Sequence, residues 1–147
     1  MILDGKDVTE EIRLPEVSRY ASQVSAHPCV RDYLLEMQRS LARTHSVIMD
    51  GRDIGTVVLP DADVKIFLTA APEERARRRC RELQARGAQV DLATIQAEIA
   101  QRDYADSHRS AAPLRKAADA VVVDTSQMDR EESLAALITL AKERLGL

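Results

Sequence analysis

Tryptophan is absent from this 147-residue chain, and its other aromatics are one Phe and three Tyr. Stacking bases on aromatic rings is therefore excluded as a main way of holding single-stranded nucleic acid. A surplus of positive charge is lacking too. The formal net charge is −3 at pH 7, so non-specific binding of nucleic acid by the whole surface is not expected, although a local basic patch remains compatible with it. The only cysteines, Cys29 and Cys80, fit neither a disulfide framework nor a metal spacing, and a reducing cytoplasm is the expected setting. His27, His45 and His108 have no partner at catalytic or metal-ligand spacing, so no metal site is expected. No apolar run approaches the ~18–20 residues of a membrane span. The start Met1-Ile2-Leu3-Asp4 does not read as a secretory leader, and no membrane partner is expected.

What is present is an alternation of short apolar runs and helical patterns. Ile2-Leu3, Asp4-Gly5 and Lys6-Asp7-Val8 read as a hairpin with an Asp-Gly turn. A polar helix is expected from Pro15 to Ala26 and a second from Pro28 to about Arg43, with Val30, Leu34, Met37 and Leu41 as its apolar stripe. Val47 to Asp50 reads as a buried strand, Val57-Val58-Leu59 as further extended chain, and Val64 to Thr69 as a second strand. Pro72 to about Gly87 is a helix rich in arginine, with a thin apolar stripe of Ala76, Cys80 and Leu83. Another helix is expected from Asp91-Leu92 to about Arg109, then a loop at Ala111 to Leu114 and a third strand from Ala120 to Asp124. Asp129 and Glu132 have capping-box spacing at the start of a last helix, whose expected core stripe is Leu134, Leu137, Ile138, Ala141 and Leu145. Strands alternating with helices imply a parallel sheet with helices on both faces. Residues 1–45 are expected to form a small subdomain and 46–147 an α/β core that carries the arginine-rich helix at about 72–87.

Three groups carry candidate chemistry. Asp50-Gly51-Arg52-Asp53-x-Gly55 follows an apolar run, at the strand end where ligands sit in open α/β sheets. The Arg52 guanidinium could grip a phosphate through its planar fork of donors, and Asp53 could read a polar ligand edge. The plain alternative is a turn with a surface ion pair. Arg102, Asp106 and Arg109, spaced by four and three, fall on one helix face and could hold a sugar hydroxyl and a phosphate. The alternative there is an intrahelical ladder of ion pairs. The arginines at 75, 77, 78, 79, 81 and 86 could form a lid that brings charge over transferring phosphates, or simply a solvated face. Ser22 and Arg31 taken singly read as surface residues.

Taken in order, these residues resemble bacterial cytidylate kinase. The match runs through Ala21-Ser22-Gln23-Val24, Val30-Arg31, Asp50 to Val58, Pro60-Asp61-Ala62, Lys65 to Leu68, Glu73 to Ala76, Arg102-Asp103 with Asp106 and Arg109, and Ala112-Pro113-Leu114. The resemblance implies a P-loop NTPase-like nucleoside monophosphate kinase fold. It implies transfer of the γ-phosphoryl group of ATP, with Mg²⁺, to CMP or dCMP. Carried over residue by residue, Ser22 and Asp53 would face the cytosine amino group and Arg31 the ring acceptors. Arg52 and Arg109 would hold the acceptor phosphate, and Arg102 and Asp106 the ribose. Arg52, Arg109, Arg75 and Arg79 would supply catalytic charge, the last two from the lid, and the loop after Asp124 would lie near the adenine.

The chain also departs from that family. Glycine occurs only at 5, 51, 55, 87 and 146, so there is no Gly-x-x-x-x-Gly-Lys-Ser/Thr loop to cradle the ATP phosphates. An early Asp-Ser-Gly segment and an early phosphate-binding arginine are missing as well, and His108 stands where the family often has Asn. The expected family sheet order is 2-3-1-4-5, of which this chain supplies strands 3, 4 and 5. A one-strand gap, about 4.8 Å from each neighbour, would then lie between Val47–Asp50 and Val64–Thr69. Open edges of this kind self-associate, re-pair or await a complementing segment. The expectation is thus a cytidylate kinase lacking its P-loop part and nearly inactive alone. A non-catalytic CMP-binding fragment is the alternative, and an arginine-helix RNA-binding fragment is the third reading.

Overall fold

The computed structural model describes residues 1–25 and 27–147, with the side chains of Pro15, Ser18, Arg19 and Ser22 outside the description. The chain divides into two units, Met1–Ile48 and Met49–Leu147. In the first, β1 (Ile2–Leu3) and β2 (Lys6–Asp7) form an antiparallel pair with Ile2 opposite Asp7 and Leu3 opposite Lys6. Asp4 and Gly5 turn the chain at φ 49° and 81°. Both central residues therefore take positive φ, which is what Asp-Gly supplies in a tight hairpin. A short 3-10 turn at Glu11–Arg13 leads to α1 (Pro15–Val24) and α2 (Pro28–Thr44), each with proline at its start. Proline suits that place because its missing N–H would have had no helical partner anyway. The expected end of the first helix, Ala26, lies outside the described residues. The α2 stripe is correctly spaced, but Leu34, Met37 and Leu41 are exposed.

In the second unit, β3 (Ile66–Thr69) and β4 (Val121–Asp124) pair in parallel, Ile66 with Val121 through to Thr69 with Asp124. The ladder continues one residue each way through Val121 N to Lys65 O at 3.0 Å and Thr125 N to Thr69 O at 2.8 Å. Two helices separate the strands in sequence: α3 (Pro72–Ala85) and α4 (Leu92–His108). Pro72, Glu73 and Glu74 open α3 where the helix dipole favours acid. Its end is a Schellman motif: Gly87 at φ 84°, Gly87 N to Gln84 O at 2.9 Å and Ala88 N to Leu83 O at 3.0 Å. Asp91 caps α4 by accepting from Thr94 N. The core lies between these helices, with Ala76, Leu83 and Ile95 buried and Val90 and Ile99 packed against them. The stripe that looked thin in the sequence is therefore the centre of the core. Small residues suffice because they let two helices approach closely.

Three expectations are corrected. Val47–Asp50 is not a strand, and Val47 and Ile48 are exposed. A strand exists only through ladder bonds, and no neighbouring strand among the described residues offers them. Val57–Leu59 is not extended either: Ile54–Val58 is one π-helical turn, closed by Leu59 N to Ile54 O at 2.7 Å. The last helix, α5 (Arg130–Leu145), has its capping box at Asp129 and Glu132 but no buried residue, and Leu134, Ile138 and Leu145 are exposed. The sheet is parallel as expected, yet two strands wide among the described residues.

Candidate functional site

The turn after Asp50 is built by backbone hydrogen bonds onto one carbonyl. Asp53 O accepts from Val57 N at 2.9 Å, Val58 N at 3.2 Å and Thr56 N at 3.3 Å. Single π-turns recur at functional sites because they re-aim the side chains around them. Gly51 is required by a close approach, since a Cβ there would lie 2.8 Å from Ile54 Cγ1. Val58, the last residue of the turn, is buried and anchors it.

Two crossed ion pairs join this turn to the end of α4. Arg52 Nε donates to Asp106 Oδ2 at 2.8 Å, and Arg109 Nη2 stands 3.5 Å from Asp53 Oδ1. Arg102 Nε is 4.0 Å from the same Asp106 oxygen. The Asp106, Asp53 and Arg109 side chains are only 10 %, 12 % and 17 % exposed, whereas Arg52 keeps 40 % of its surface in solvent. Water therefore screens the two carboxylates poorly, and the charges act on one another more strongly than on an open helix face. These five residues carry one positive charge more than negative. Of the expected intrahelical ladder, only the Arg102–Asp106 pair forms, at 4.0 Å. Arg109 is the residue just past the helix, at ψ 144°, and it turns from Asp106 to Asp53.

Arg109 is held by the following loop. Its Nε donates to Ala112 O at 2.7 Å, while Leu114 N donates to Asp106 O at 2.8 Å. Ala112 takes φ 48°, a conformation that costs a residue with a Cβ about 1–2 kcal/mol. Arg109 Nη2 is buried and makes no hydrogen bond among the described residues. A buried guanidinium N–H without an acceptor is costly, and an anion placed beside it would satisfy it.

The arginine-rich helix is laced with ion pairs, although its six arginines outnumber the three carboxylates they meet. Glu74 meets Arg77 at 3.7 Å, Arg78 at 3.2 Å and Arg81 at 3.4 Å, and Glu82 meets Arg79 at 2.9 Å and Arg86 at 3.0 Å. Arg78 also donates to Thr125 O at 2.6 Å and Met128 O at 3.0 Å, tying α3 to the loop that follows β4. Arg75 faces Asp103 with both terminal nitrogens, at 3.0 and 2.6 Å. The structure thus brings together Arg52, Asp53, Arg102, Asp106 and Arg109, and sets Arg75 and Arg79 on carboxylates. Arg31, on α2 in the first unit, donates to Ser25 O at 3.2 Å. The Ser22 side chain lies outside the described residues. Asp103 and the Ala112 carbonyl were not anticipated. The first had a signal, since it sits three residues before Asp106 and so shares its side of the helix; the second, a backbone oxygen, had none.

Among the described residues no three His, Cys, Asp or Glu side chains gather to hold a metal ion. No helix there is long and apolar enough to cross a membrane.

Fold and site together define a mixed α/β protein with a cationic arginine–aspartate cluster at a π-turn. The family model described as cytidylate kinase matches residues 1–143, and the chain belongs to that family. Cytidylate kinase of Pelotomaculum thermopropionicum is 57 % identical over 132 residues, which are 90 % of this chain and 58 % of that protein. That of Desulfitobacterium hafniense is 51 % identical over 142 residues, 97 % of this chain and 61 % of its own length. That of Caldicellulosiruptor saccharolyticus is 52 % identical over 146 residues, 99 % of this chain and 65 % of its own. The chain therefore spans about three fifths of the length of these relatives.

Proposed function

We propose that this chain carries the acceptor half of a cytidylate kinase site, binding CMP or dCMP for phosphoryl transfer from ATP to give ADP and CDP or dCDP. The observation that carries the reading is the buried Arg109 Nη2 with no hydrogen-bond acceptor among the described residues, set among Arg52, Arg102, Asp53 and Asp106. Arg52 and Arg109 hold the monophosphate, since a guanidinium fork matches two phosphate oxygens. Arg102 and Asp106 take the ribose. Asp53 accepts from the cytosine amino group; Ser22 and Arg31 are added to the base contacts by the family resemblance alone. When phosphate arrives, Arg109 is drawn from its long contact with Asp53 toward the phosphate oxygens. Uracil presents an acceptor in place of the cytosine amino group and is repelled.

The donor side does not fit the residues present. ATP with Mg²⁺ needs a phosphate-cradling glycine loop, and the five glycines form none. What these side chains do is bind, orient and neutralise the acceptor. A coupled assay on the 147-residue chain alone is accordingly expected to show at most a trace of transfer. The parallel pair β3–β4 keeps an open edge on each side among the described residues, and self-association or re-pairing through those edges belongs to the same reading.

The deciding test is calorimetric titration of the chain with CMP and with UMP. CMP is expected to bind tighter by about tenfold, the order that one base-edge contact gives. Equal affinities, or none, would overturn the reading. The alternative, a non-catalytic CMP-binding fragment that needs a complementing P-loop segment, predicts the same titration with no transfer until such a segment is supplied in trans.

A further inference from the structure

Arg75 and Asp103 form a bidentate pair that the acceptor site does not use. Arg75 Nη1 donates to Asp103 Oδ1 at 3.0 Å, Nη2 to Asp103 Oδ2 at 2.6 Å, and Nε to the Ala70 carbonyl at 3.0 Å. The side chains are 34 % and 38 % exposed, and Ala70, which follows the last residue of β3, is buried. One guanidinium therefore spans the end of β3, the first turn of α3 and the middle of α4. All three nitrogens of the fork are committed.

We propose that Arg75 is a positioning residue: it fixes the rotation of α4 about its axis, so that Asp106 meets Arg52 and Arg109 meets Asp53, and it does not touch phosphate itself. Asp103 lies between Arg102 and Asp106 on α4, and one residue of a helix corresponds to about 100° of rotation. A planar two-point contact on Asp103 resists rotation in a way a single-point charge does not. The apolar packing of α3 on α4 cannot supply that restraint alone, because Ala76, Leu83 and Ile95 are small or aliphatic and give contact without direction. Asp103 thus acts as the handle by which the rest of the unit holds the Arg102–Asp106–Arg109 segment.

The inference rests on reading that segment as a nucleotide grip, but its test does not need nucleotide. In the ¹⁵N-labelled chain, solvent exchange of the Arg52 and Arg109 Nε–H protons reports their bonds to Asp106 and to the Ala112 carbonyl. In Arg75→Lys, which keeps the charge and loses the fork, both are expected to exchange at least about fivefold faster. The ladder amides of Val121 and Thr125 are expected to exchange as before. Asp103→Asn, which keeps size and one acceptor, is expected to give a smaller change in the same direction, and it decides the matter if Arg75→Lys does not fold. Unchanged Arg52 and Arg109 exchange in a folded variant, or a uniform rise that includes the β3–β4 amides, would overturn the proposal. CMP titration adds a second arm: about tenfold weaker binding in Arg75→Lys with an unchanged melting temperature. If even the unaltered chain binds no CMP, the acceptor-site reading fails, and the exchange arm still decides the role of Arg75.

Discussion

On the proposed reading, the Asp53 carboxylate serves two partners in turn, Arg109 and the cytosine amino group. It pairs with Arg109 at 3.5 Å, too long for a hydrogen bond, and so holds the guanidinium without locking it. Asp53→Asn keeps the shape and removes the charge. It is expected to weaken CMP binding while bringing the roughly tenfold preference over UMP close to parity, measured by paired titrations. Asp106 differs. It is buried, accepts from Arg52 and is approached by Arg102. Asp106→Ala leaves Arg52 without its partner and empties a buried position, so the chain is expected to lose about 1–3 kcal/mol of stability, read from urea denaturation. The residue types at 52, 53, 102, 106 and 109 were legible in the sequence as two separate groups, which only the family resemblance joined. Their pairing was not. Spacing put Arg109 on the face of α4, but the helix ends one residue earlier, and the extended backbone at Arg109 swings it to Asp53. Helical periodicity describes a side chain only as long as the helix lasts.

Among the elements, those whose ends are written in local chemistry were readable to the residue. The Asp-Gly hairpin, the proline starts, the Gly87 stop and the Asp129–Glu132 box all depend on groups a few positions apart. In that box Asp129 N donates to Glu132 Oε2 at 2.9 Å and Glu132 N to Asp129 Oδ1 at 2.8 Å. Asp129→Ala is expected to cost about 1 kcal/mol, seen as a lower midpoint in thermal circular dichroism. Since α5 buries nothing, its cap makes up a large part of what holds its first turn. Acid acts at the same scale. The Ser126 hydroxyl and then its amide hold the Asp124 carboxyl below its ordinary value, Thr94 does the same for Asp91, and Lys65 for Asp119. A carboxyl with a lowered value in the fold contributes stability that is complete above its unfolded value, ~3.9, and is lost as pH falls through the folded value. Melting temperature is therefore expected to stay flat from about pH 7 to 5 and to drop below about pH 4. Asp119→Asn should make that acid limb shallower.

Over the whole molecule, burial is uneven. The buried apolar residues are Val58, Ala70, Ala76, Cys80, Leu83 and Ile95, all within Met49–Leu147. None of the described residues of Met1–Ile48 is buried, and Leu14, Val24, Tyr33, Met37 and Leu41 are exposed there. Hydrogen exchange is expected to divide along the same line, with α1 and α2 amides exchanging at least about tenfold faster than those of β3 and β4, as mass spectrometry of peptic peptides would show. Similar protection in both units would contradict the burial pattern. Residue order alone was enough for the element types with local signals, for the charged residues of the ion-pair cluster and for the family they mark. Each depends on residue identity and short spacing, which one chain displays in full. Tertiary structure alone decided that Val47–Asp50 stays unpaired and that α5 lies exposed. It also decided that the thin stripe of α3 is the core, that Arg75 and Arg78 are clamps, and that Asp50-Gly51-Arg52-Asp53 becomes a π-turn crossed to α4. A strand needs a partner and a stripe needs a surface to cover, and both are contributed by residues far away in the chain.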